Sequence, residues 1–271
     1  MTATATHQAT TPRPGTKRPS LLPYVRTELR NSLLRIDTII FVVIMPLAFY
    51  LMFGAMTEYG DIDAGNGTVS AVVMVNMAAF STAIAATALS GTCATELTDG
   101  WGRQMALSPG GIRSYYLVKA GSAILLCLIP VTLIFAAGFI TGAACDSPGI
   151  WAASYILCLL PAIPFALYGM AIGMWFPTQG AVGTATASVS VWAFLANIFM
   201  PIGGFLFTLA HWTPLYGAAM LAQRPILENM VVTATGPIDE SLWIPVVNLL
   251  AWTLLLGLIC MVSRRRVTLR R

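Results

Sequence analysis

TVSAVVMVNMAAFSTAIAATALSG, residues 68–91, decides how this chain is read. The stretch contains no Asp, Glu, Lys, Arg or His. Wound as a helix at about 1.5 Å per residue, it is long enough to cross a hydrocarbon layer of roughly 30 Å. Five more apolar stretches accompany it, at roughly 38–57, 114–142, 150–175, 182–208 and 243–263. None of the six carries an Asp, Glu, Lys, Arg or His in its central part. The third and fourth exceed the minimum for a span and are expected to be tilted or broken. Pro130, Pro161 and Pro164 mark the kink points.

Composition agrees with this reading. The 271 residues are 57% hydrophobic and 10% charged, where a soluble domain carries about a quarter charged residues. So few charges cannot cover a water-facing surface. That excludes a soluble enzyme, a disordered chain and a nucleic-acid-binding protein. The fold class expected is an all-α membrane protein of six transmembrane helices. Cys93, Cys127, Cys145, Cys158 and Cys260 are scattered, with no metal-site or disulfide spacing, and read as packing residues.

Ahead of the spans, residues 1–19 are rich in Thr, Ala and Pro and are expected to form a disordered tail. Between 20 and 37, Leu22, Val25, Leu29, Leu33 and Ile36 recur at steps of three or four, while Arg26 and Arg30 fall elsewhere. This marks an amphipathic helix suited to lie in the membrane interface, its arginines near lipid phosphates. The chain thus divides into a tail (1–19), a membrane domain (20–263) and a basic tail (264–271).

The loops set the orientation. With the N-terminus inside, 14 of the 15 basic residues fall on the cytoplasmic side, counting Lys119 as snorkelling there. Only Arg224 lies outside. The outside loops hold Glu58, Asp61, Asp63, Asp146, Glu228, Asp239 and Glu240. Both termini are therefore expected to be cytoplasmic, which requires an even number of spans. Glu228, Asp239 and Glu240 read as a solvated acidic face.

TELTDGWGRQMALSPGGIRSYYLVK, residues 95–119, is the most polar cytoplasmic stretch between spans. Thr95 suits a helix N-cap and Glu96 its first turn. Trp101, Met105 and Leu107 can rest on the membrane surface. Gly100 and Gly102 keep such a helix short or bent, and Ser108-Pro109-Gly110-Gly111 turns the chain back towards the membrane. The segment is either a helix that takes force from a cytoplasmic partner or an ordinary amphipathic loop.

Glu96-x-x-x-Gly100-Trp101-x-Arg103-Gln104, followed by Ser108-Pro109 and then Lys119, resembles the ABC-2 type permeases. The resemblance takes in roughly residues 20–265. It includes the amphipathic N-terminal helix, the six spans, and a turn before the last span, Met200-Pro201-Ile202-Gly203-Gly204, followed by His211-Trp212-Thr213-Pro214-Leu215. It implies the transmembrane subunit of an ATP-binding-cassette exporter in a bacterial cell membrane. The partners implied are a second permease subunit, identical or not, and separate cytoplasmic ATPase subunits. ATP is then used by the partner, with no cofactor bound by this chain. The residues implied to couple to the ATPase are Glu96, Gly100, Trp101, Arg103, Gln104 and Pro109. Gly102 departs from the family pattern, where a larger apolar residue is usual.

The chain's own residues agree with such a division of labour. It contains no G-x-x-x-x-G-K-[ST] loop for nucleotide phosphates. Its spans lack the carboxylate or histidine of a proton relay. The favoured cargo is lipophilic or amphipathic, as in drug or antibiotic efflux and resistance; lipid or glycan export is the alternative within the family. A membrane-embedded enzyme and a proton-driven carrier are the readings outside it.

Four residues stand out as candidates for the pathway or its gate: Asn76, Asn197, His211 and Trp212. Each has a plainer reading. An amide in an apolar span seeks a protein partner, as Asn248 would too, and Trp favours the membrane interface. Gly180, Thr184 and Ser188, with Gly183 and Ala187, form a small-residue stripe suited to helix packing or to lining a pore. Gly-containing 138–142 and 169–173 read as packing or bending sites.

Overall fold

The computed structural model describes residues 22–33, 39–96 and 111–269. The molecule is mostly helical. In chain order the helices are α1 (Leu22–Leu33), α2 (Ile39–Ala55), α3 (Val69–Glu96), α4 (Gly111–Ile140), α5 (Pro148–Leu157), α6 (Ala162–Trp175), α7 (Gln179–Leu195), α8 (Gly204–Ala210) and α9 (Tyr216–Leu227). A hairpin of β1 (Met230–Thr233) and β2 (Gly236–Asp239) follows, and α10 (Trp243–Leu269) ends the described chain.

Among the described residues, three helical stretches are long and apolar enough to cross a membrane: Val69–Glu96, Pro148–Trp175 and Trp243–Val262. Ile39–Ala55 and Leu125–Ile140 are apolar but shorter. In α1, Arg26 and Arg30 are exposed while Val25 and Leu29 are half-buried, which matches the two faces read from its spacing.

The stretch 68–91 becomes α3, the centre of the molecule. A helix apolar on every side belongs inside other helices, and 83% of the apolar window of α3 is buried, against 22% for α10. Helices α2, α4, α6, α7 and α9 all lie against it. The α3–α6 contact is built from small residues. A Cβ on Gly169 would collide with the Thr87 carbonyl oxygen. One on Gly173 would stand 2.5 Å from the Gly91 carbonyl oxygen and 2.8 Å from the Ala94 side chain. The Gly-x-x-x-Gly spacing at 169–173 therefore serves packing, as its sequence suggests.

The chain passes between two ends. At one end the loops meet. Thr68 N–H donates to the Ala144 carbonyl (3.0 Å), Asp146 N–H to that of Asn66 (3.0 Å), and Asn66 N–H to that of Ile226 (2.7 Å). The Tyr50 hydroxyl, fully buried, lies 2.5 Å from Thr141 Oγ1 and 3.3 Å from Ser70 Oγ. At the other end Gln179 Nε2 donates to Thr95 Oγ1 (3.5 Å). The segments expected from the sequence to lie outside share the first end, the outer end of that expectation.

Several expectations are corrected. The stretch 182–208 is not one helix. It breaks after Leu195, where Asn197 takes a positive φ of 62° and Pro201 and Gly203 prevent regular winding before α8. The loop 209–242 is instead largely folded into α9 and the hairpin, so the molecule is not purely helical. Val231, Val232 and Thr233 favour a strand, and Gly236 at φ 117° closes the two-residue turn. Thr95 and Glu96 do not begin a helix but end α3. Packing of Ala94 against Gly173 carries that helix a turn past the apolar run. The fourth stretch does break, between α5 and α6 at residues 158–161, whereas α4 continues through Pro130.

The α3–α6 contact predicts that Gly169→Leu lowers stability by about 1–3 kcal/mol or more through overpacking. Thermal unfolding of the detergent-solubilised chain checks this. Gly180→Leu, at a site with nothing within 4 Å of a new Cβ, is expected to leave the unfolding temperature near that of the original chain.

Candidate functional site

The break after Leu195 would be costly at membrane depth if its backbone groups were left bare, because lipid offers no hydrogen bonds. Side chains from the surrounding chain reach several of them. Asn197 Oδ1 accepts from Ile202 N–H (2.7 Å), and its Nδ2 donates to the Val232 carbonyl (2.9 Å). Asn76 Nδ2, from the middle of α3, donates to the Ile198 carbonyl (3.0 Å), and Asn76 Oδ1 accepts from Gln223 Nε2 of α9 (2.5 Å). Asn76, Asn197 and Gln223 are all buried. The two asparagines singled out as pathway candidates thus hold the break to the central helix and to the hairpin.

Asn248 does the same for α10. Its Oδ1 accepts from Gly217 N–H (3.0 Å), and its Nδ2 donates to the carbonyls of His211 (2.6 Å) and Thr213 (3.0 Å). Gly217 permits the approach, since a Cβ there would stand 2.6 Å from Asn248 Oδ1.

Beside this lies a polar cluster. Glu240, between the hairpin and α10, is 5% exposed. Its Oε1 accepts from the Tyr216 hydroxyl (2.5 Å) and lies 2.9 Å from His211 Nε2. His211 Nδ1 is 2.9 Å from the Phe207 carbonyl oxygen of α8. Burial, then the bond to Glu240 and its negative charge, push the Tyr216 phenol well above its usual range. Arg224 grips the same corner, with Nε on the Glu228 carbonyl (3.1 Å) and Nη2 on that of Glu240 (2.5 Å). Its Nη1 is buried with no partner.

Glu240 was read as part of a solvated acidic face, and the structure overturns that; Glu228 and Asp239 are exposed as expected. Nothing in the local sequence distinguishes Glu240 from Asp239. The difference arises because His211 and Tyr216 arrive from another part of the chain. Glu240 is buried and His211 half-buried, and both lie outside the apolar stretches.

Of the four candidates, Asn76, Asn197 and His211 are held in this one cap. Trp212 points away, 75% exposed, and its carbonyl accepts from Trp252 Nε1 (3.2 Å). Within the small-residue stripe, Gly180, Gly183, Thr184 and Ala187 are exposed, while α7 packs through Val182, Ala185, Val189 and Ala193. Of the coupling residues, only Glu96 is described; Gly100, Trp101, Arg103, Gln104 and Pro109 lie outside the described residues.

Both His211 ring nitrogens face protein oxygens, so neither is open to a substrate. Cys145, in the outer loop, is pushed up to about 11 by burial and then by neighbouring Asp146, which keeps it a thiol and a poor nucleophile at neutral pH. Among the described residues no group of three or more His, Cys, Asp or Glu could hold a metal ion. No protein-family model matches the chain, and no curated protein matches it.

The hydrogen bonds of Asn248 predict that Asn248→Leu, close in volume, lowers stability by roughly 1–3 kcal/mol, because the Gly217 N–H is left unpaired in a buried place. Thermal unfolding against the original chain measures this.

Proposed function

We propose that this chain is the permease subunit of an ATP-driven exporter of the ABC-2 type. It crosses the membrane six times with both termini cytoplasmic, and α1 lies in the inner interface. A second permease subunit and separate ATPase subunits complete the machine. The cargo is lipophilic or amphipathic, with drug or antibiotic efflux the favoured case.

The observation that carries this reading is the residue pattern from Glu96 to Lys119, set between two long helices of a chain whose basic residues nearly all belong to one side. That segment joins the end of α3 to the start of α4. Since α3 is a buried rod, a push at its inner end is delivered to Asn76 in the outer cap, where Gln223 and the break are attached. ATP hydrolysis on the cytoplasmic side can thereby reach the outer end without any ionisable group within the spans. The exposed small-residue face of α7 suits either a second subunit or the pathway. Exposed Trp212 and Trp243 suit the outer interface.

Reconstituted chain with its ATPase subunit is expected to export cargo only with ATP. Export by the chain alone, without ATP, would sink the proposal. Arg103→Glu and Glu96→Arg are each expected to reduce ATP-driven export about tenfold, within the range of a coupling energy of 1–3 kcal/mol, while membrane insertion is retained. Undiminished export and undiminished ATPase stimulation in both variants count against the coupling assignment.

A further inference from the structure

One tight turn joins three parts of the outer end. Ala64 N–H donates to the Gly67 carbonyl (2.6 Å), which puts Gly65 and Asn66 at the corner. Gly65, at φ 70°, supplies the left-handed residue that the corner needs. Asn66 makes the joins. Its N–H donates to the Ile226 carbonyl at the end of α9 (2.7 Å), and its carbonyl accepts from Asp146 N–H in the loop before α5 (3.0 Å). Its Nδ2 donates to the Pro225 carbonyl (3.3 Å).

The residue after Asn66 has to be glycine. A Cβ on Gly67 would stand 2.7 Å from the Ala144 carbonyl oxygen and 3.2 Å from the Ile226 side chain. The join therefore forces an Asn-Gly pair, and it is the one such pair in the sequence. Glycine has no side chain to shield its nitrogen from the preceding side chain. Among the described residues the Gly67 N–H makes no hydrogen bond that would tie it down. Asn66 itself is half-buried, so water reaches it.

We propose that Asn66–Gly67 is a spontaneous modification site, at which asparagine converts to isoaspartate and aspartate and so loosens the junction of the outer loops. The Gly67 nitrogen loses its proton to hydroxide and attacks Asn66 Cγ. A new C–N bond closes a succinimide ring, the bond from Cγ to Nδ2 breaks, and ammonia leaves with a proton taken from water. Water then opens the ring. Opening at the side-chain carbonyl gives aspartate, and opening at the main-chain carbonyl gives isoaspartate. One water is consumed and one ammonia released, with no change of oxidation state.

Either product undoes the join. Aspartate puts a carboxylate oxygen, which can only accept, where Nδ2 donated to the Pro225 carbonyl. Isoaspartate in addition routes the main chain through Cγ. The added methylene lies between the N–H that bonds Ile226 and the carbonyl that bonds Asp146, and takes the two out of register. The same bonds set the pace, because they pin Asn66 until the turn opens locally. Conversion is thus a slow, irreversible clock on the outer end. It depends on this chain alone and holds whatever the cargo.

The test holds the full chain in lipid nanodiscs at pH 8, beside the free peptide 63–69 as a control. Peptide mass spectrometry reads the loss of the amide at Asn66, and isoaspartyl methyltransferase reads isoaspartate. Both signals are expected to rise in the original chain, later than in the peptide, and the isoaspartate signal to fall to background in Asn66→Ser, which cannot form the ring. The unfolding temperature of the original chain is expected to drop on ageing, while that of Asn66→Ser stays where it began. An amide intact at Asn66 after the peptide has fully converted overturns the proposal. So does a converted chain that unfolds at its original temperature, or an equal drop in Asn66→Ser. Should Asn66→Ser fail to fold, converted and unconverted molecules of the aged original chain, separated by their charge difference, give the same comparison.

Discussion

The rest of the molecule is built around one close approach, that of α3 to α6 across Gly91, Gly169 and Gly173. Where lipid surrounds two apolar helices there is little hydrophobic gain in bringing them together, and contact then comes from packing that only small residues allow. Here the glycines bring the two backbones within touching distance, and Thr87, Ser90 and Ala94 fill the seam. With α3 held in this way, the neighbouring helices cover its remaining sides. Its own hydroxyl groups turn back on the helix, as Ser81, Thr82 and Thr87 each bond a carbonyl three or four residues earlier.

The outer cap follows from a second constraint, that unwound backbone in an apolar setting must find partners in the protein. Three asparagines answer it. Asn76 joins the break to the central helix, Asn197 joins it to the hairpin, and Asn248 joins the start of α9 to α10. Each side chain serves as both donor and acceptor, which few other side chains could do in the same volume. The cap is thereby rigidly tied to α3. In the exporter reading this tie lets an event at the cytoplasmic end of α3 be felt at the outer end. The His211, Tyr216 and Glu240 side chains add a polar contact between α8, α9 and the end of the hairpin.

How far the fold was legible in the sequence varies with the kind of signal. Long apolar runs with no Asp, Glu, Lys, Arg or His in their central parts mark the helices α2, α3, α4 and α10 to within about six residues at each end. Pro161 and Pro164 marked the division of α5 from α6, because a proline ring and its missing N–H act locally. The break after Leu195 was harder to see. Pro201, Gly203 and Gly204 were recognised as a turn, but the apolar residues around them were continuous with the run before. The break is tolerated only because Asn76 and Asn197 reach it, and neither the distance nor the direction of those side chains is written in the local pattern. The residues of the segment 97–110, on which the coupling assignment turns, lie outside the described residues.

By itself the sequence determined the apolar character of this protein, the elements suited to cross a membrane and the asymmetry of its charges. These depend on the character of residues taken in order along the chain. Tertiary structure alone decided which helix is central, which polar side chains are spent on the framework, and that Glu240 is buried while its neighbour Asp239 is not. These are properties of residues brought together from 24 to 147 positions apart, such as Tyr216 with Glu240 and Asn76 with Gln223, rather than from within a single helical turn. Burial and hydrogen bonding depend on what arrives from elsewhere in the chain, and hydropathy read along one segment carries no record of it.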